Sequence, residues 1–551
     1  MPNPAIVFEP DGYRIDGQRL MGRQAAGNGF LRAAVAASGA QPVIGYTPTK
    51  KSAEVFARTV AEIDPAAKAQ WLQPGRFDQL ARVGHLYMPG PTLGDLARQR
   101  LRAAPSAWSI TGVTHTTASH GAMDSIAGLL SAPVMPWDAL VCTSSAVLGT
   151  AKVVLEAERD YLRWRFGNQV ALTLPQLPVI PLGVHCSDFA VDAEEKRLAR
   201  QALGIAEDEV VALFMGRLSF HAKAHPHAMY AALQAVARKS GRKLVLVQCG
   251  WFANKAIEHA FRHGAATCCP DVRCLFTDGR AHLSRRYSWA SADLFISLSD
   301  NIQETFGLSP IEAMAAGLPV VVTDWDGYKD TVREGVDGFR VPTWMAGPGT
   351  GEPLAAAHDL GLENYDQYCG LSCQHVAVDH QVLAERLQTL VTDPALRQRM
   401  GEAGRQRALE VYDWPVVYRR YQELWRELDR LRPKPGAAQP KSPRAAPARL
   451  DPFLTFAHYP THSITGSTHV VARPGATVQL FEQLSRHELF SYARQTLPSA
   501  TALARLWPAL SGAGTSVGEL AKAAGANEAE VVRGVAALAK MGLVALSEGK
   551  A

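Results

Sequence analysis

The stretch from Ser299 to Phe339 reads SDNIQETFGLSPIEAMAAGLPVVVTDWDGYKDTVREGVDGF, and the rest of the chain is read outward from it. Two glutamates, Glu304 and Glu312, flank a loop holding Phe306, Gly307 and Leu308. Ser309 at an N-cap and Pro310 at a first helical position signal a helix start, and Gly317 with Pro319 signals its stop, which predicts a short helix over about 310–316. Val320 to Thr323 is an apolar, β-branched run, the pattern of a strand buried on both faces of a parallel sheet. The first amides of a helix beside a glycine loop suit an anion, because orphan donors and macrodipole both favour negative charge. The same residues allow a second reading, in which Ser309-x-x-Glu312 is a capping box and Glu312 only closes its own helix.

Length and composition set the outer limits. A chain of 551 residues is too long for one core and implies two large domains with an appendage. Hydrophobic content of 47% and charged content of 20% are ordinary for a globular enzyme. A net charge of +5 over that length points to neither nucleic acid nor an anionic membrane as partner. The N-terminal MPNPAIVFEP lacks a basic region followed by an apolar one, and no apolar run is long enough to span a bilayer. The expectation is a cytoplasmic protein without an integral membrane segment. Its eight cysteines lack zinc-site spacing and are expected to be reduced thiols.

Short apolar runs alternate with amphipathic ones along the first 430 residues, which predicts doubly wound parallel sheets. Ala5 to Phe8 is a first strand, followed by a glycine turn at Gly22, Gly27 and Gly29 ahead of a helix. Val83–Tyr87 and Trp108–His115 read as strands whose C-terminal ends feed loops, the place where open α/β sheets bind ligands; His115 lies at such an end. Val211–Arg217 is another strand, ending in Gly216 and Arg217 with Lys223 in the loop beyond. Arginine suits bidentate phosphate contact and lysine serves as a point charge. Residues 343–380 are read as an irregular insertion with no assigned role. Asp324-Trp325-Asp326 is read as a structural loop rather than a metal site.

The string Glu304-x-Phe306-Gly307-Leu308-x-x-x-Glu312-Ala-Met-Ala-x-Gly-x-Pro-Val-Val resembles the donor-site signature of the group 1 (family 4) retaining glycosyltransferases. The Gly-Arg-x5-Lys spacing of Gly216, Arg217 and Lys223 resembles that family's pyrophosphate clamp, and Ile180-Pro-Leu-Gly183-Val-His185 resembles its inter-domain motif with His185 in place of aspartate. Where the family has Gly-Gly-x-x-Glu after the strand, this chain has Asp326-Gly327-Tyr328-Lys329-Asp330. The resemblance covers about residues 1–430 and implies a GT-B fold, two Rossmann-like domains facing a cleft: an acceptor-side domain over 1–203, a donor domain over 204–410, and a crossover helix over 411–431.

It also implies roles. Glu304 faces the donor sugar and Glu312 the ribose; Gly22, Gly216, Phe306, Gly307 and Leu308 line the donor; Arg217 and Lys223 hold the diphosphate; and His115 lines the acceptor side of the catalytic centre. No metal and no cofactor is expected. The donor would be a nucleotide sugar, a UDP- or GDP-sugar, and the acceptor is unidentified. Other readings are a protein or peptide glycosyltransferase, a GT-B phosphorylase or epimerase, and a non-catalytic scaffold.

Beyond a Pro/Ala-rich linker at 432–451, residues 452–551 look like a small winged-helix domain, with Asn527 and Glu530 capping its second helix. That helix is poor in cations, so a protein partner or homodimer is expected through this domain, and no nucleic acid.

Overall fold

A computed structural model describes residues 3–13, 22–169, 172–434 and 449–548. The chain divides into a unit from Met1 to Ala446 and a unit from Pro447 to Ala551.

The larger unit holds two six-stranded sheets. The first is built from β1 (Ala5–Val7), β2 (Val43–Tyr46), β3 (Ala69–Leu72), β4 (His85–Met88), β5 (Ser109–Val113) and β6 (Ala139–Val141), in the order β3-β2-β1-β4-β5-β6. The second comprises β7 (Val210–Met215), β8 (Leu244–Gly250), β9 (Arg273–Asp278), β10 (Leu294–Ser297), β11 (Val320–Thr323) and β12 (Gly338–Val341), in the order β12-β11-β10-β7-β8-β9. Every pairing in both is parallel. Counted from its own first strand, the second sheet repeats the order of the first, so each half has a topological switch point, between β1 and β4 and between β7 and β10. The expected doubly wound α/β architecture is therefore present twice.

β7, β8, β10 and β11 are buried along their whole length, which explains their unbroken apolar runs: helices cover both faces of a parallel sheet and leave no polar side to alternate with. The helix Trp414–Leu431 returns to the first sheet. Its Trp414, Tyr418 and Tyr421 surround Phe30, whose ring stacks on Tyr87 at 3.9 Å between centroids. One apolar cluster runs from Phe8 and Phe30 through Trp414 to Phe295 and Met314, so both halves share a core.

Two local expectations need correction. Gly27 and Gly29 lie inside the helix Gly22–Ser38, not in a turn ahead of it. They are small because a Cβ would come within 2.3 Å of the Gly12 carbonyl oxygen and 2.2 Å of Trp414 Nε1 respectively. Gly22 opens that helix, and the residues just before it, 14–21, fall outside the described ones. The segment 343–380 is ordered into β13 (Thr343–Met345) paired antiparallel with β14 (Val376–Val378), enclosing the helices Glu352–Asp359 and Tyr365–Cys373. Its Gly-, Tyr- and Cys-rich composition hid two helices, the second of which buries Cys369 and Cys373.

The smaller unit packs the helices Val478–Arg486, Ala500–Ser511, Val517–Ala524 and Glu528–Lys540 on an antiparallel sheet of β15 (His469–Ala472), β16 (Thr515–Ser516) and β17 (Val544–Ser547), around Val470, Phe481, Leu520 and Leu538. Asn527 does cap the helix Glu528–Lys540, but it accepts from the Ala529 amide and no reciprocal bond from Glu530 completes a box. The closed capping box is that of Ser516 and Glu519, one helix earlier.

Candidate active site

The loops that follow β7 and β10 leave the second sheet side by side, because those strands are neighbours at its switch point. After β7 come Gly216, Arg217 and Lys223; after β10 come Ser299 to Gly307. The two loops are stitched together. Ser299 Oγ donates to the Lys223 carbonyl at 3.3 Å, Asn301 Nδ2 to the His221 carbonyl at 2.7 Å, and the His225 amide to Asp300 Oδ1 at 3.3 Å. Behind them, Thr323 at the end of β11 donates to the Ser299 carbonyl at 2.6 Å, and Trp325 Nε1 to the Asn301 carbonyl at 3.2 Å.

On this frame Lys223 forms an ion pair with Glu304, both side chains mostly buried at 19% and 13% exposure. Burial works against both charges, but each outweighs the other's penalty. The Glu304 carboxyl is held below its ordinary range by Lys223 and by the Thr305 and Phe306 amides, and the Lys223 ammonium is pushed up by Glu304. Both stay ionised at neutral pH. Arg217 Nη2 donates to the Ala222 carbonyl at 2.8 Å and to Gln303 Oε1 at 2.7 Å. Its Nε and Nη1 make no hydrogen bond among the described residues and are free for an anion.

The helix Leu308–Ala315 begins two residues earlier than the Ser-Pro signal implies, with Gly307 as its N-cap at φ 85°. Ser309 therefore lies inside the first turn and caps nothing. Nor does any other side chain cap this helix, which leaves its first amides, at Leu308 and Ser309, open to a ligand. Position 307 requires glycine twice over: its backbone is left-handed, and a Cβ would fall 2.0 Å from Tyr328 Cε1. With Ser309 displaced, the capping-box reading of Glu312 fails. The Glu312 carboxyl makes no hydrogen bond among the described residues, and burial pushes it up to about 7, against the pull of Arg285 and Lys223.

Phe306 departs from expectation. Its side chain is core, 2% exposed, with its ring 6.3 Å from that of Tyr412, so its part at the site is confined to its backbone. Gly216, Arg217, Lys223, Glu304, Gly307, Leu308 and Glu312 belong to the two stitched loops and the helix that follows them, whereas Gly22 and His115 belong to the first sheet. His115 follows β5; its Nε2 is buried without a partner, and burial, then Arg23, lowers the ring to about 4, so it is neutral. His185 is half-buried with Nε2 3.1 Å from the Gly29 carbonyl oxygen, while Asp413 supplies the carboxylate of that turn by accepting from the Cys186 amide at 3.1 Å.

Three further residues that carry no site role in the sequence reading, Asp330, Ser144 and Asp326, lie close by. Asp330 reaches the start of the helix Ser145–Phe166: its carboxylate accepts from the Ser145 amide and hydroxyl, both at 2.6 Å. Ser144 Oγ, the N-cap of the same Ser145–Phe166 helix, donates to the Thr305 carbonyl at 2.8 Å. The signal for Asp330 was its place at the acidic end of the Asp326–Asp330 turn. Asp326 itself adopts a left-handed backbone, φ 48°, and its Oδ2 is buried without a partner. Burial and then Glu304 push its carboxyl up to about 8.

Comparison with known proteins bears on the family and the fold. Residues 195–344 match the family model of Glycosyl transferases group 1. A D-inositol 3-phosphate glycosyltransferase of Kribbella flavida is 26% identical over 400 residues, covering 69% of this chain and 77% of that protein. An uncharacterized glycosyltransferase of Methanocaldococcus jannaschii is 29% identical over 172 residues, 30% of this chain and 41% of its own length. The crystal structure of Anabaena HepE in complex with UDP superposes with a TM-score of 0.50 at 15% identity, over 75% of this chain and 98% of that one. The architecture is GT-B.

Proposed function

We propose that this chain, whose residues 195–344 match the family model of Glycosyl transferases group 1, moves a sugar from a nucleoside diphosphate donor to an acceptor with retention of anomeric configuration. The observation that carries the reading is the meeting at one switch point of the Lys223–Glu304 pair, the free donors of Arg217 and an uncapped helix N-terminus.

As the bond between sugar and diphosphate loosens, negative charge collects on the departing phosphate and the sugar becomes oxocarbenium-like. Groups that meet this charge more strongly in the transition state than in the ground state lower the barrier. Arg217, Lys223 and the amides of Leu308 and Ser309 are the groups available. Glu304, fixed by Lys223, orients sugar hydroxyls, and Glu312 accepts from the ribose. Neutral His115 offers a hydrogen bond on the acceptor side. One solved neighbour is in keeping with this class of donor: the Anabaena protein was crystallised with UDP.

A thermal-shift screen of UDP-, GDP- and ADP-sugars tests the donor. A true donor at about a hundredfold above its Kd stabilises by about 2.7 kcal/mol. Anomeric analysis of the product from a labelled donor tests retention, and an inverted product refutes it.

One observation favours a protein or peptide as the acceptor. The smaller unit exposes Phe453, Tyr459 and Tyr492, each more than 70% accessible. On that reading, removing residues 452–551 abolishes transfer while donor hydrolysis continues.

A further inference from the structure

The segment 343–380 reaches the donor loop through one hydroxyl. Gln303 Nε2 donates to Tyr365 OH at 3.0 Å, and Tyr365 OH lies 3.0 Å from Thr116 Oγ1, in the loop after β5. The direction of this chain is set at its other end. Arg217 can only donate, so the Gln303 oxygen, 2.7 Å from Nη2, must face it, and the amide nitrogen must then point to Tyr365. Tyr365 OH accepts from Gln303 and shares a hydroxyl–hydroxyl hydrogen bond with Thr116, whose Oγ1 also accepts from the Ala118 amide at 3.3 Å. The Gln303 amide therefore has one available orientation, since turning it over would put two donors face to face at Arg217.

The same segment holds the post-β5 loop a second time, since His358 stacks on His120 at 3.8 Å between centroids and on Tyr368 at 4.5 Å. Beneath it, Gly370 packs against His221, where a Cβ would sit 3.0 Å from the His221 Cβ. His221 in turn gives its carbonyl to Asn301, whose Oδ1 accepts from the Gln303 amide at 2.8 Å. The Gln303 backbone and both ends of its side chain are thereby held.

We propose that Tyr365 is a positioning residue of the donor site: by fixing the Gln303 amide it aims the free edge of Arg217 at the diphosphate of a nucleoside diphosphate donor. The inserted segment is then a built part of the diphosphate subsite. Burial supports this role, since it pushes the phenol up to about 12 and keeps it a neutral hydroxyl. The inference rests on the donor reading above and adds a residue and a segment to it.

Calorimetric titration of the full chain with UDP, GDP and ADP, and with uridine, guanosine and adenosine, tests it on wild type and Tyr365→Phe. The phenylalanine keeps the ring and removes only the hydroxyl, and equal melting temperatures without ligand confirm an intact fold. The expected result is a three- to tenfold weaker diphosphate, about the value of one hydrogen bond, with the matching nucleoside changed by less than about twofold. Gln303→Leu should reproduce the split. An unchanged diphosphate affinity in Tyr365→Phe overturns the proposal and leaves the donor reading intact. An equal loss for diphosphate and nucleoside also overturns it, by showing a general structural role. A wild type that binds none of the three diphosphates overturns the donor reading and this inference together.

Discussion

Replacing Asp326 by asparagine tests the electrostatics of the site without disturbing its shape. Among the described residues Asp326 is the one non-glycine with positive φ, and asparagine tolerates that conformation as well as aspartate does. The change removes a titrating group and little else. In the folded protein the carboxyl is pushed up from 3.8 to about 8, by burial first and by the negative Glu304 second. Between those values the folded chain holds a proton that the unfolded chain has released, so folding takes up a proton. The stabilisation is fully present below about 3.8 and is lost as pH rises toward 8. One pH unit inside that window is worth at most about 1.4 kcal/mol, so two units, from pH 5.5 to 7.5, are worth at most about 2.7 kcal/mol. The residue as a whole is of intermediate exposure although its Oδ2 is enclosed, and solvent screening reduces this to roughly 1–2 kcal/mol. The amide of Asp326→Asn does not titrate, so the variant gains on the wild type as pH rises, while all other ionisable groups cancel in the difference. Thermal unfolding of both proteins at pH 5.5, 6.5 and 7.5 reads it as a gap in Tm that widens by about 1–3 °C in a unit of this size. Parallel curves, or a gap that narrows with pH, refute the claim that this carboxyl is protonated beside Glu304.

Other perturbations reach other parts of the site. Lys223→Met should cost about 2–4 kcal/mol in denaturant unfolding, because Glu304 is left mostly buried without its cation, and Lys223→Met with Glu304→Gln should cost less than the sum of the two single changes. Arg217→Lys keeps the charge but loses the planar fork, and should weaken diphosphate binding about 10- to 100-fold by calorimetry with little change in Tm. Gly307→Ala should destabilise by about 2 kcal/mol or more, since it combines a left-handed backbone with a Cβ overlapping Tyr328; a neutral result in a urea melt would contradict the packing described. His115 gives the opposite pH sign to Asp326. Its ring falls from 6.5 to about 4, so its contribution to stability is present above 6.5 and is lost as pH falls toward 4, and His115→Gln should flatten that limb of the Tm profile.

The parts of this fold legible in the sequence are those governed by long-lived patterns. Val320–Thr323 and Val210–Met215 announce strands buried on both faces because nothing polar interrupts them, and Gly216, Arg217, Lys223, Glu304 and Glu312 are recognisable as a set by spacing. What escaped was decided by tertiary contact. The Ser309-Pro310 signal lost to Gly307, whose left-handed backbone starts the helix earlier over the face of Tyr328. Gly27 and Gly29 read as turn residues, yet they are small to admit Gly12 and Trp414, partners far apart in sequence. Phe306 looked like a ligand contact because it sits inside the motif, though its ring serves the core. Gln303 and Tyr365 have no local signature at all, since their meaning lies in a hydrogen-bond direction that only Arg217 fixes.

The clasp between Asp330 and Ser145 bears on how a bulky donor gains entry. Parting the two lobes strips the Ser145 amide of its carboxylate and separates Ser144 from Thr305, exposing the positive start of a 22-residue helix. Opening therefore sacrifices three hydrogen bonds at one corner, so the closed arrangement is favoured again as soon as a donor has entered.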